Sequence, residues 1–449
     1  MTIKSKIGLS IHNANEELQK RCMDSAISIY GNPALPKEVS ERLELELSTI
    51  TANGYASDYL FAAILADRAA ELGYHVTTRG MLSSSFVSFL CGFSKVNPLP
   101  LHYHCKSCHH FEAVNLDSNY DVCGFGRNNM LGYDLNNTKV CHVCGNKMKA
   151  DGNDIMPEIL MGIDFNNEPN ITLNFPVSIR KDISQYMKEK FNDFQFIRAG
   201  VSFVREDGSV NKGIHPGGIF IIPKDIDITD YTPLREYDSD DDFEMPVTDM
   251  DYHELGKYFK KYDILTLPEL DYLHGAEKET GVNSDDIDLS DKGIISILQE
   301  DGFHFLPKFS TFSESFQMDK QIISLFKPER FSDIVHILGL ITGVNTWRNN
   351  GENLIRSGID PRLIISSRDD LYRDLQNAGI DRNKAWKIMC DVRGYKGVST
   401  DDEKIMLEAS IPKWYIDSCR KIKYLFPKSH TIEYAIIFAK IAFFKKHYR

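Results

Sequence analysis

Apolar residues recur at helical spacing through "KEVSERLELELSTITANGYASDYLFAAILADRAAELGY", residues 37–74. A break near Gly54 divides this stretch into two helices. The next residues, "HVTTRGMLSSSFVSFLCGF", predict a strand, a glycine-containing turn and a helix. Residues 158–180 read as a strand, because "NITLNF" alternates apolar and polar positions. "GIHPGGIFIIP" (213–223) predicts a tight glycine turn entering a β-run that stops at a proline. Residues 225–285 are acidic and hold one β-like stretch at "YDIL". Residues 290–449 repeat amphipathic helical segments. The first 24 residues predict no more than a helix, and no internal repeat is evident.

Length and composition narrow the class. A chain of 449 residues with 42% hydrophobic content predicts two to four structural units around substantial cores. The apolar run "IIFAKIAFF" is too short to span a bilayer and contains Lys440. The first residues lack the apolar segment of a signal peptide. The expectation is a soluble cytoplasmic protein with no membrane partner. A net charge of −12 argues against general nucleic-acid binding. The charge is uneven. "DSDDDFE" (238–244) is strongly acidic, whereas residues 381–449 hold 15 Lys and Arg against 8 Asp and Glu. That basic end either faces phosphates or is a solvated helical surface.

Nine cysteines include two CxxC pairs, Cys105 with Cys108 and Cys141 with Cys144. Four thiolates from two tight turns suit a tetrahedral structural Zn²⁺ with no open position. Disulfides are the competing reading, disfavoured in a reducing compartment. His102, His104, His109, His110 and His142 lie close by as spare ligands. Cys22, Cys91, Cys123, Cys390 and Cys419 show no partner pattern and read as buried thiols.

Several long motifs are similar to the catalytic alpha subunit of bacterial DNA polymerase III, PolC type. They are "ITANGYASDYLFAAILADRAAELGYHVTTRGMLSSSFVSFL", "VNPLPLHYHCKSC", "CHVCGNKMKADGNDI", "HPGGIFIIP", "YDIL", "SSRDDLYRDL", "KAWKIMCDVRGYKG" and "PKWYIDSCRKIKYLFPKSH". They follow the family order from about residue 25 onward. The resemblance implies an α+β fold with a polymerase-beta-like palm, a Cys₄ zinc insert and mainly helical fingers. It divides the chain into an extension (1–24), a first palm part (25–98), the zinc insert (99–150), a second palm part (151–285) and fingers (286–449). The family's thumb is reduced to about residues 200–212. No segment resembles the family's PHP, exonuclease, clamp-binding or duplex-binding regions.

In this family three carboxylates hold two Mg²⁺ ions that activate the primer 3′-hydroxyl and stabilise the departing pyrophosphate. Two come from a Pro-Asp-Ile-Asp-Leu-Asn-Phe strand, here Pro169-Asn170-Ile171-Thr172-Leu173-Asn174-Phe175. The third matches Asp263. Asn and Thr bind hard cations poorly, so catalytic Mg²⁺ is expected to be lost. Glu168 and Asp164 are the nearby acids that would have to substitute.

Other departures agree with this erosion. The family's phosphate-cradling turn, Ser-Arg-Gly-Ser-Val-Gly-Ser-Ser-Phe, keeps Arg79, Gly80, Ser84 and Ser85 but has Met81 and Ser83. An anion is still expected to dock there. The fingers segment becomes Ile341-Thr342-Gly343-Val344-Asn345-Thr346-Trp347, and a small-residue run becomes Thr431-Ile432-Glu433, placing a negative charge near phosphates. Further candidates for phosphate or nucleotide contact are Arg198, Arg368, Lys387, Arg393 and Lys396. His215, with Gly217 and Gly218, either contacts phosphate or stabilises its own turn. The expectation is a catalytically inactive, PolC-like pseudo-polymerase. It would bind primer–template, single-stranded DNA or host replication proteins as a decoy or regulator of phage or other mobile-element origin. The alternatives are a residually active polymerase and a protein-binding adaptor.

Overall fold

A computed structural model describes residues 6–31, 34–114, 129–205, 207–236, 243–306 and 319–448. Cys123 and most of the acidic run at 238–244 lie outside the described residues.

The two helices expected around Gly54 are Lys37–Ala52 and Ala56–Glu71. Helix Ala14–Tyr30 packs with them through Leu18, Cys22 and Ala26. Behind them lies a seven-stranded mixed sheet. Its members are β1 (Thr77–Thr78), β5 (Thr172–Phe175), β6 (Phe194–Val204), β7 (Val210–Pro223), β8 (Leu234–Arg235), β9 (Val247–Asp251) and β10 (Lys261–Thr266). A separate three-stranded sheet holds β2 (His102–His104), β3 (Phe111–Ala113) and β4 (Lys149–Asp151). The large sheet runs β1-β5-β10-β7-β6-β9-β8, so strands distant in sequence meet at its centre. Beyond β10 the described chain is helical, ending in helix Lys428–His447.

Residues 158–180 form only a four-residue strand, preceded by helix Pro157–Met161 and a long extended approach. Proline at the helix start and Gly162 at φ +76° bound that helix, which alternation alone does not reveal. "GIHPGG" is no turn but the middle of β7. Gly217 is required there because a Cβ would lie 2.5 Å from the Ile264 carbonyl oxygen. The acidic stretch also contains β8 and β9, whose short, polar segments carry little periodicity. The segment expected as a reduced thumb is the outer half of the β6–β7 hairpin, offset by a bulge between Arg198 and Gly200.

Candidate polymerase-type cavity and cysteine cluster

Parallel pairing of β5 with β10 sets Asp263 directly opposite Thr172. Antiparallel pairing on the other side sets Asp263 opposite Gly218. These registers converge on one carboxylate. Asn170 Nδ2 and Thr172 Oγ1 each lie 3.4 Å from Asp263 Oδ2. Asn170 Nδ2 also donates to Thr172 Oγ1 at 3.2 Å. The other oxygen of Asp263 accepts from the Lys261 ammonium, two residues back on the same strand face. Asp263 therefore already has an internal cation.

Asn170, Thr172 and Asp263 line one wall of a cavity of about 630 Å³. Arg79 and Met81 come from the turn after β1, and Ile341 and Thr342 from the end of helix Phe331–Thr342. Arg368, Arg393, Tyr424, Phe426, His430 and Tyr434 complete the helical side. Among the described lining residues Asp263 is the carboxylate, facing three arginines. Arg368 donates from Nε to the Leu425 carbonyl at 2.7 Å and from Nη2 to the Tyr424 hydroxyl at 3.0 Å. Burial, with Arg393 beside it, pushes its guanidinium down to about 10, still cationic at neutral pH. Arg393 Nε is buried and has no hydrogen-bond partner among the described residues.

The structure reassigns several expected contacts. Ser84 and Ser85 are fully buried and face away from the cavity lining. Ser84 Oγ bonds Ser429 Oγ at 2.6 Å. Ser85 caps helix Phe86–Leu90 and donates to Glu46 at 2.7 Å. The Glu46 carboxylate also accepts from the Phe86 and Val87 amides at 2.9 and 3.1 Å. It thus fills the helix N-terminus where an external anion was expected. Gly80 keeps its place at φ +71°, but its amide donates to His430 Nδ1 at 3.1 Å.

His215 bonds within its own strand. Its Nδ1 accepts from the Gly218 amide at 2.8 Å, holding its own stretch of β7. Burial, followed by the nearby Lys261, lowers its pKa and keeps it neutral. Arg198 is buried and donates to the His215 and Pro216 carbonyls at 3.1 and 3.4 Å. Lys387 and Lys396 lie outside the cavity and pair with Asp391 at 2.7 and 3.3 Å. Glu168 pairs with Lys6 at 2.6 Å and lines a neighbouring cavity of about 460 Å³. The strand begins only at Thr172, so Glu168 lies outside it. Asp164 sits exposed in a turn.

Glu433 does not face the cavity. It is 1% exposed and accepts from the Ser94 hydroxyl and the Lys95 amide at 3.0 Å. Burial pushes its carboxyl up to about 7. The face that reaches the cavity carries His430 and Tyr434, four residues apart. Burial, then Arg79 and Arg368, drives His430 down to about 3, so it is a neutral acceptor. The sequence reading missed both residues. Their signal was an i, i+4 pair within "PKSHTIEY", but an all-round apolar helix hides which side is wet.

The four paired cysteines come together. Cys105 and Cys144 sulfurs are 3.4 Å apart, and Cys108 and Cys141 sulfurs 3.5 Å. All four lie within 4.8 Å of one another and are unbridged. A disulfide requires about 2.05 Å, whereas thiolates around one tetrahedral ion stand near these separations. The cluster can hold a metal ion. His102 and His104 instead gather with Asp151, and His110 and His142 with Glu112. Cys22 and Cys91 are buried with sulfurs 3.7 Å apart, and Cys419 is buried, but Cys390 is only partly so.

Two family models match the chain. One describes the bacterial DNA polymerase III alpha NTPase domain and covers residues 16–206. The other describes the bacterial DNA polymerase III alpha subunit finger domain and covers residues 267–393. Together they span most of the chain. It belongs to the bacterial DNA polymerase III alpha-subunit family. Relatives described as DNA polymerase III PolC-type agree. That of Caldanaerobacter subterraneus subsp. tengcongensis is 35% identical across 98% of this chain and 33% of its own length. Those of Thermotoga petrophila and Staphylococcus saprophyticus are 33% identical across 98% of this chain, and across 34% and 32% of their own lengths. The chain thus spans about a third of these relatives. As in the sequence reading, the fold is a mixed α+β palm followed by helical fingers. Among the described residues no helix is long and apolar enough to cross a membrane.

Proposed function

We propose that this PolC-like core binds DNA through its polymerase cavity without catalysing two-metal nucleotidyl transfer. The observation that carries this reading is the internal Lys261–Asp263 pair beside Asn170 and Thr172. One carboxylate with its own counter-cation is a poor trap for two divalent ions. Arg79, Arg368 and Arg393 face it, so the cavity favours an anion over a cation. A phosphate of a primer end or of single-stranded DNA suits that charge, and retention of such an end without extension would make the protein a decoy or regulator of replication. Zn²⁺ in the cysteine cluster would hold the insert in place.

Relatives named as polymerases favour a second reading, an active polymerase that uses Asp263 with residues supplied otherwise. Primer extension with Mg²⁺ and with Mn²⁺, run beside fluorescence anisotropy on the same primer–template, separates the two. The proposal expects salt-sensitive binding and no extension above a metal-free control. Metal-dependent extension abolished by Asp263→Ala overturns it. Absence of binding at low salt overturns it as well, leaving the adaptor role.

A further inference from the structure

β2 carries His102 and His104 two residues apart, so both imidazoles leave one face of the strand. β4 runs antiparallel beside it and sets Asp151 opposite His102. One nitrogen from each ring and one Asp151 oxygen lie within 4.8 Å of one another. The three residues are 0%, 3% and 2% exposed. The sheet leads directly into Cys105, yet this group uses none of the cluster's sulfurs.

Three observations set it apart from ordinary packed polar residues. His102 Nδ1 donates to the Pro100 carbonyl at 2.7 Å, which leaves Nε2 as the acceptor nitrogen, met only by the Tyr30 hydroxyl at 3.4 Å among the described residues. Metal-bound imidazoles are oriented in this way by a partner behind the ring. His104 Nδ1 is buried without a hydrogen-bond partner among the described residues. Asp151 Oδ1 is aimed by the Gly152 amide at 2.8 Å. The Tyr30 hydroxyl, 3.4 Å from His102 Nε2, stands beside the group as an oxygen for a fourth position. Lys149, 3.2 Å from Asp151 Oδ2, is the competing feature, since its ammonium can neutralise the carboxylate without any ion.

We propose that His102, His104 and Asp151 form a second, buried divalent-metal site that takes Zn²⁺. Two imidazoles and one carboxylate are a zinc donor set with ligand distances of about 2.0–2.2 Å. A strand-borne His-x-His pair with a cross-strand Asp supplies them without backbone movement. The ion ties β2 to β4 and, through Tyr30, to helix Ala14–Tyr30. The site is independent of the reading given for the polymerase cavity.

The test is metal stoichiometry on the full chain, saturated with Zn²⁺, desalted and measured by inductively coupled plasma mass spectrometry. Two zinc ions per chain are expected. His104→Gln and Asp151→Asn should each retain one, with the thiolate-to-cobalt charge-transfer band of Co²⁺-loaded protein unchanged. The surface variant His110→Ala/His142→Ala should keep two. One zinc per wild-type chain overturns the proposal. So does loss of the second ion in the surface variant, which would place it on His110, Glu112 and His142. Retention of both ions in the two buried-site variants overturns it too.

Discussion

The cysteine cluster and the β5–β10 strand ends are both set in place by an orderly backbone, but their side chains differ in what they can bind. In the cluster two CxxC turns close on one another, and four sulfurs meet within 4.8 Å. At the strand ends the main chain is equally orderly, with Asp263 in register with Thr172 and Gly218. The side chains there are amide, hydroxyl and one carboxylate already paired with Lys261. Backbone register and ligand chemistry are therefore separable. Strand pairing rests on main-chain hydrogen bonds and on Ile171, Leu173 and Ile264 beneath, so the polar face can change without loss of the sheet.

The largest effect is expected at the cluster. Chelation, or Cys141→Ser, should release the ion and destabilise the insert by several kcal/mol, on the order seen when structural zinc is lost. Limited proteolysis would then cut the insert first, and an unchanged melting temperature would erase the contrast. Next comes the reverse manipulation. Asn170→Asp with Thr172→Asp restores three carboxylates, and Mg²⁺-dependent primer extension should rise by about a hundredfold or more over wild type. Failure to gain extension would show that Lys261–Asp263 or the changed nucleotide pocket also blocks catalysis.

Glu433 supplies a pH test of the contact between Ser94–Lys95 and helix Lys428–His447. Its folded pKa, about 7, is raised above the ordinary 4.5, so the folded state holds its proton more tightly. The stability this brings is fully present below about pH 4.5 and is lost as pH rises toward 7. Glu433→Gln should be the more stable protein at pH 8, by roughly 3 kcal/mol, and the difference should vanish near pH 4. Comparing melting curves of the two proteins cancels the opposing buried histidines. A difference independent of pH would refute the assignment.

A smaller effect is expected at Arg393. Arg393→Ala should weaken primer–template binding about tenfold and reduce the salt slope by about one. Lys387→Ala and Lys396→Ala, remote from the cavity, should stay within about twofold. If those lysines matter as much as Arg393, DNA tracks the outer basic surface rather than the cavity.

Much of this was legible before any coordinates. The cysteine spacing, the helices around Gly54, the helical end and the missing carboxylates at 170 and 172 are local patterns, and the family motifs supplied the topology. Phosphate contact at Ser84 and Ser85 was misread because Glu46 arrives from a helix some 40 residues earlier, and no local pattern announces it. Glu433 was placed near phosphates for a related reason. Helix Lys428–His447 is apolar around its circumference, so periodicity does not indicate which side meets the cavity.

Residue types and short spacings thus settled which chemical groups are present: four cysteines in two close pairs, an amide and a hydroxyl on the strand at 170 and 172, and a set of arginines. Long-range packing settled where they act. The pairing of Lys261 with Asp263, the filling of a helix N-terminus by Glu46, and the meeting of His102 and His104 with Asp151 depend on strand register and on burial. Those arise from non-local contacts between segments far apart in the chain, where side-chain direction is set by the neighbour across the sheet rather than by the neighbour in sequence.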